Sequence, residues 1–138
     1  MPVIRRAGEG DWSAIAAIQQ ESPGAAQWKI ADYGRYELYV AVHENQVAGF
    51  LVWRAAGEVE CEILNLAVLP DFRRKGIGRA LVESLLDSFG RDVFLEVRES
   101  NGAARELYKS LGFEEINRRP EYYKDPSEAA IVMKFHSC

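Results

Sequence analysis

The sequence predicts a mixed α/β protein: six to seven strands in one mostly antiparallel sheet, flanked by about four helices. Three observations point there. Strand-like runs at Leu38–Val42, Val47–Arg54 and Val59–Val68 are separated only by Glu44-Asn45-Gln46 and Ala55-Ala56-Gly57, the spacing of an antiparallel meander. Ile77, Leu81, Val82, Leu85, Leu86 and Phe89 then recur on one helical stripe before the apolar run Val93–Val97, which makes one right-handed crossover. A second stripe, Ala103, Ala104, Leu107, Tyr108 and Leu111, precedes two further runs, Phe113–Asn117 and Ala129–Phe135. One crossover among several hairpin-like connections excludes a doubly wound sheet.

The remaining elements follow in order. Val3–Arg6 is a short strand. Gly8 and Gly10 end it, and Asp11 is placed to cap a helix in which Trp12, Ile15, Ala16 and Ile18 share a face to about Gln20. Ser22-Pro23-Gly24 breaks that helix. Gln27–Arg35 reads as a second, short helix weakened by Gly34. Its aromatics, Trp28, Tyr33 and Tyr36, either line a pocket or pack the segment onto the core. Leu64-Asn65-Leu66 disturbs the alternation of the third meander strand, which suggests a bulge. Val93-Phe94-Leu95-Glu96-Val97 is nearly continuous in apolar character and suits a strand buried on both faces. Gly112 sits where a helix C′ glycine belongs, and Pro120–Ser127 reads as a turn-rich loop.

At 138 residues the chain has the length of one domain, 1–138. Its 48% hydrophobic and 28% charged content is that of a soluble globular protein. A net charge of −4 weighs against a nucleic-acid binder and suits a cationic partner such as an amine or a basic peptide. The two cysteines, Cys61 and Cys138, form neither a disulfide framework nor a CxxC metal pattern, so a cytoplasmic location and no metal are expected. His43 and His136 are isolated. No signal peptide follows the initial charges, and no run reaches the ~20 apolar residues of a membrane helix, so no membrane partner is expected. Nothing in the sequence specifies an oligomeric state.

The most informative stretch is Arg73-Arg74-Lys75-Gly76-Ile77-Gly78-Arg79, between a strand and a helix. A helix start carries free N–H groups and the positive end of the peptide dipole. Glycines let a phosphate come close, and the basic side chains add full charges. The pattern is not a Walker loop, which needs G-x-x-x-x-G-K-[ST]. Nor is it a dinucleotide fingerprint: Leu81 stands at the third glycine, and Pro70–Lys75 separates strand from glycine.

Arg73-x-x-Gly76-x-Gly78, after a strand ending Asn65-Leu66-Ala67-Val68, resembles the acetyl-CoA motif of the GNAT superfamily of N-acetyltransferases. The blocks L-E-V-R-E-S-N-G-A-A, L-Y-K-S-L-G-F and R-R-P-E-Y-Y are similar to those of RimI-type enzymes, the ribosomal-protein-alanine N-acetyltransferases. The close resemblance covers about Asn65 to Phe135. It implies acetyl-CoA as cosubstrate and a GNAT fold whose central strands splay to admit the pantetheine arm. It also implies that Leu66, Ala67 and Val68 pair with that arm through the backbone. Arg73 and Arg74–Arg79 (Arg74, Lys75, Gly76, Ile77, Gly78, Arg79) would then hold the pyrophosphate, and Asn101 would contact the cofactor.

Acetyl transfer to an amine needs a neutral amine and a proton for the departing thiolate. A protein α-amine, with a pKa near ~8, is roughly one-tenth neutral at pH 7, so it needs only modest help from a base. Glu96 is the candidate base. It interrupts an apolar run, where a charge needs a partner or a function, and it matches the glutamate of the L-E-V-R motif. The plain alternative is a strand-end carboxylate paired with Arg98 or another cation. Tyr108 is the candidate acid by resemblance; by pattern alone it packs in the core. Glu62 is the alternate base, reached directly or through water, although solvated carboxylates at Glu60 and Glu62 are the simpler reading. Trp28 and Tyr122, with Tyr123, are candidate substrate contacts. Cys61 reads as a small core residue.

The sequence thus points to an acetyl-CoA-dependent N-acetyltransferase working by direct attack in a ternary complex. Its acceptor, by resemblance, is a protein N-terminal α-amine, the alanine of a ribosomal protein. A small-amine acetyltransferase (polyamine, aminoglycoside or amino acid) and a non-catalytic acyl-CoA-binding module are the alternatives.

Overall fold

The computed structural model describes residues 2–22, 29–124 and 127–136. Among the described residues there are seven strands and four α-helices: β1 Val3–Arg6, α1 Trp12–Gln20, α2 Ile30–Tyr33, β2 Glu37–His43, β3 Gln46–Ala55 and β4 Glu60–Val68. They continue with α3 Ile77–Phe89, β5 Asp92–Arg98, α4 Gly102–Ser110, β6 Glu114–Tyr123 and β7 Glu128–Phe135. The strand order is β1-β2-β3-β4-β5-β7-β6. β4 and β5 run parallel, as a crossover through α3 requires; β1–β2, β2–β3, β5–β7 and β6–β7 are antiparallel. The β4–β5 ladder joins Glu60–Glu62 to Asp92–Phe94, while β5 stays paired with β7 as far as Arg98.

Two compact units make up the chain: Met1–Arg54 with Leu64–Phe89, and Ala55–Ile63 with Gly90–Cys138. In the first, β2 and β3 are joined at Glu44-Asn45, both with positive φ (53° and 62°), the two-residue turn whose twist suits a hairpin. Alternation then sorts the side chains. Leu38, Val40, Phe50 and Val52 lie on one face with Ile15 and Ile18 of α1, Tyr33 of α2 and Ala67 of β4. The other face receives α3: Tyr39 Oη lies 3.2 Å from Ser88 Oγ, and the Trp53 and Phe89 rings meet edge to face at 5.3 Å.

Burial alternates strictly along β4, so Leu64-Asn65-Leu66 does not disturb it. Asn65 occupies a buried position because its Nδ2 donates to Tyr33 Oη (3.1 Å), whose hydroxyl donates in turn to Gln19 Oε1. Tyr33 is therefore core, as the packing reading expects. Asp11 precedes α1 without donating or accepting a cap bond to it. Its carboxylate instead accepts from Gly8 N (2.7 Å) and from both Arg5 terminal nitrogens (2.7 and 3.0 Å), fastening β1 to the entry of α1.

The second unit departs from the sequence reading at two places. β5 is not buried on both faces: Val93 and Leu95 are buried, whereas Phe94 and Glu96 are only half-buried. Nor is Pro120–Ser127 all loop, since β6 continues to Tyr123. It is the edge strand, exposed along nearly its whole length, and Pro120 is tolerated there because an edge position need not donate to a neighbour. Glu121 has φ 53°, within the register shift between Arg119 and Tyr123.

Candidate active site

The basic glycine loop lies in the first unit. After β4, Leu69 N donates to Ala48 O (2.8 Å) and Phe72 is buried, which anchors the turn Pro70–Phe72. Arg74 and Gly76 both have positive φ (62° and 78°), with Lys75 between them, and all three are exposed. Alternating handedness of this kind gathers successive N–H groups into an anion-binding concavity. Gly76 O accepts from Ala80 N (2.9 Å), so α3 begins there, and the N–H groups of Ile77, Gly78 and Arg79 lack an i−4 carbonyl. A Cβ on Gly76 would meet nothing within 4 Å, so the approach to these amides is open. The loop therefore fits a pyrophosphate. Ile77 is buried and anchors the helix start, while Lys75 Nζ lies 5.6 Å from the Phe72 ring centroid and Arg79 pairs with Glu83 (3.8 Å).

Arg73 is exposed, but its guanidinium is turned to the protein. Its Nε donates to Val68 O (3.0 Å), and Nη2 donates to Glu21 O and Ser22 Oγ (3.2 Å each). It ties the end of β4 to the end of α1. Leu66 and Val68 are half-buried and Ala67 is buried, and Leu66 N donates to Asn65 Oδ1 (3.0 Å). Gly49, which the sequence reading did not single out, sits beneath this turn. A Cβ there would lie 3.0 Å from Ala67 O and 3.2 Å from Ile77 Cγ2. The signal was a lone glycine inside a strand, a mark of close backbone approach.

In the second unit the register sets two faces. Val93, Leu95 and Val97 of β5 pair with Phe135, Met133 and Ile131 and share one face with them. Glu96 and Arg98 pair with Val132 and Ala130 and lie on the other. The end of helix α4 meets the first face: the ring of Phe113, just past it, lies 5.6 Å from that of Phe135. Asn101 caps it, its Oδ1 accepting from Ala104 N (3.2 Å). At its end Gly112 has φ 100°, Gly112 N donates to Lys109 O (3.0 Å), and Phe113 N donates to Tyr108 O (3.0 Å). These two bonds make a Schellman motif, with the expected contact between its C″ and C3 residues: the Phe113 and Tyr108 rings are 5.2 Å apart. The block L-Y-K-S-L-G-F is thus the sequence of a helix end that clamps Tyr108. Tyr108 is 3% exposed, and burial pushes its hydroxyl well above the usual tyrosine range, keeping it protonated.

Glu96 is on the opposite face, and its partner is Arg119 rather than Arg98. Arg119 Nη1 donates to Glu96 Oε1 at 2.8 Å. Glu96 Oε2 is buried without a hydrogen-bond partner among the described residues. Arg98 is occupied elsewhere: it pairs with Glu128 (3.3 Å), donates to Lys124 O (3.4 Å) and stacks on Tyr123 at 4.4 Å. Arg119 stacks on Tyr122 at 4.0 Å, and Tyr122 meets Tyr123 at 5.2 Å. Burial first, then the negative charge of Glu96, pushes the Tyr123 hydroxyl up to about 12. Glu96, Arg98, Arg119, Tyr122 and Tyr123 therefore form one cluster.

Of the other candidates, Glu60 is salt-bridged to Lys134 (2.6 Å) and is no free solvated carboxylate; Glu62 is half-buried on the same strand. Cys61 is fully buried and free, its thiol pushed up to about 12 by burial, which suits a core residue and not a nucleophile. Trp28 lies outside the described residues. Among the described residues no group of three His, Cys, Asp or Glu side chains could hold a metal, and no helix is long and apolar enough to cross a membrane.

An exposed glycine turn at a helix start, a short parallel β4–β5 ladder and a clamped, buried tyrosine are thus on one chain. The sequence pattern of the Acetyltransferase (GNAT) family matches residues 9–113, and the chain belongs to that family. It is an N-acetyltransferase, which sets aside the non-catalytic module. It is 40% identical over 105 residues to the [ribosomal protein bS18]-alanine N-acetyltransferase of Escherichia coli K12, covering 72% of this chain and 70% of that relative. It is 41% identical over 76 residues to the N-alpha-acetyltransferase RimI of Mycobacterium tuberculosis, covering 54% of this chain and 48% of the relative. The crystal structure of the Escherichia coli ribosomal-protein-S18-alanine N-acetyltransferase superposes with a TM-score of 0.87 at 33% identity, over 99% of this chain and 94% of that one. Ard1 from Thermoplasma volcanium superposes with a TM-score of 0.84 at 31% identity, over 99% and 98%.

Proposed function

We propose that this chain, acting as one domain over residues 1–138, acetylates the N-terminal α-amine of a protein, the alanine of a ribosomal protein, in the cytoplasm. The observation that carries the reading is the likeness to the Escherichia coli bS18-alanine enzyme in both sequence and structure. Acetyl-CoA supplies the activated acetyl thioester when bound. The amides of Ile77, Gly78 and Arg79, with Arg74 and Lys75, hold its pyrophosphate, and the backbone at Leu66 and Val68 pairs with its pantetheine arm. Asn101 lies beside that arm through the part of its side chain not used as a helix cap.

Glu96 takes the proton from the acceptor ammonium at Oε2, the oxygen with no donor among the described residues. Tyr108 carries the acid role: burial keeps its hydroxyl protonated, so it retains a proton to give to the departing sulfur. Glu96 lies on the face of the β5–β7 ladder opposite Phe135, against which Phe113, the ring neighbour of Tyr108, packs; this suits amine and thioester arriving from different sides. Tyr122, exposed at the edge strand, is assigned to the acceptor side; Glu62 and Trp28, the latter outside the described residues, are the other candidate contacts.

The test is to locate the acetyl group by mass spectrometry on a peptide that begins with alanine and contains one internal lysine. Acetylation at the α-nitrogen supports the reading; acetylation confined to the lysine side chain contradicts it.

A further inference from the structure

We propose that Arg119 is a positioning residue for acyl transfer: braced on Tyr122, it holds Oε1 of Glu96 so that Oε2 faces the acceptor amine. This rests on the reading of Glu96 as the base.

The register explains how a residue two strands away reaches Glu96. Arg98 of β5 and Arg119 of β6 both pair with Ala130 of the intervening β7, so the three stand in one row on the same face. Ala130 is small and fully buried, which leaves room for two guanidinium groups above it. In the next row Glu96 and Asn117 both pair with Val132. Arg119 thus runs diagonally across β7 to Oε1 at 2.8 Å, while its row partner Arg98 turns away to Glu128 and Tyr123.

A glutamate carboxylate turns freely about its last torsion unless one oxygen is fixed. Here one oxygen is fixed. The arginine that fixes it is itself held by the Tyr122 ring at 4.0 Å, although 48% of its side chain is exposed. A planar guanidinium suits this task, because it can stack and donate together and never acts as a competing base. The other oxygen, Oε2, is buried with no donor among the described residues, an arrangement that costs free energy unless something arrives to donate to it. A substrate ammonium is such a donor. Its N–H bonds to Oε2, the proton passes to the carboxylate, and the nitrogen lone pair is freed for attack. Without Arg119, the carboxylate keeps its chemistry but loses its fixed direction.

The test measures kcat, and KM for both substrates, by thiol release from acetyl-CoA with a synthetic alanine-starting peptide. The proteins are wild type, Arg119→Gln, Arg119→Lys, Glu96→Gln, the Glu96→Gln/Arg119→Gln double variant, and Arg118→Gln. Arg118, beside Arg119 on the edge strand, pairs bidentately with Glu99 just past β5, which makes it the control for strand disruption. Arg119→Gln should lower kcat roughly tenfold to a hundredfold, with KM for acetyl-CoA unchanged and partial recovery in Arg119→Lys. In the Glu96→Gln background the same change should cost little, because the group it positions is gone. If Glu96→Gln is impaired but Arg119→Gln costs the same factor in both backgrounds, the positioning role is wrong and the base survives. An equal loss in Arg118→Gln also overturns the positioning role, in favour of a general edge-strand effect. A fully active Glu96→Gln, or a wild type inert toward the peptide, overturns the underlying reading and this proposal with it.

Discussion

Two side chains carry the proposed chemistry, and their surroundings set what each does. Glu96 presents one oxygen to Arg119 and keeps the other unpartnered. Glu96→Gln should lower kcat roughly a hundredfold or more at neutral pH. The loss should shrink as pH rises past ~8, where the acceptor α-amine becomes neutral unaided; a pH–rate series on wild type and variant checks this. Gly76 needs its positive φ and leaves open space above the loop. Gly76→Val strains the backbone by about 1–2 kcal/mol and places a side chain over the amides, so the acetyl-CoA Kd should rise chiefly, as read by calorimetry. Gly49 acts indirectly. Gly49→Val forces Ala67 and Ile77 apart, should cost about 1–3 kcal/mol of stability, and should raise KM for acetyl-CoA because Ile77 starts the cradle helix.

Among the elements, the entry to α1 carries a pH signature. Hydrogen bonding from Arg5 first, and from Gly8 N, holds the Asp11 carboxyl below its ordinary 3.8. A carboxylate whose folded pKa is depressed contributes stability above its unfolded pKa and loses it as pH falls through the folded value. Asp11→Asn should therefore lower the unfolding midpoint at neutral pH and flatten its dependence on pH below about 4, measured by thermal melts. The elements also show what was readable in the sequence. The hairpin at Glu44-Asn45, the crossover helix and the C′ glycine at 112 are local signals, decided within a few residues, and they were legible. The length of β6 was not, because Pro120 reads as a break unless its edge position is known. The two-sided burial expected of β5 failed for a related reason: Val-Phe-Leu gives no sign that Phe94 and Glu96 face a half-exposed side. At the site, the residue types of the glycine loop, Glu96 and Tyr108 could be picked out. The tie from Arg73 to Ser22 and the reach of Arg119 across Ala130 are long-range and depend on strand order.

For the whole molecule, family membership fixes the reaction, and the acceptor is the open choice. The cluster of Glu96, Arg119, Tyr122 and Tyr123 offers one free carboxylate oxygen beside aromatic faces. That arrangement suits an ammonium carried on a peptide end. A lysine side chain, with a pKa near ~10.4, would ask far more of the base than an α-amine near ~8. The measurement that tests this most directly is thiol release from acetyl-CoA with Ala-, Ser- and Met-starting peptides beside polyamines and aminoglycosides. We expect turnover with peptides, fastest with N-terminal alanine. Turnover with the small amines alone would contradict it.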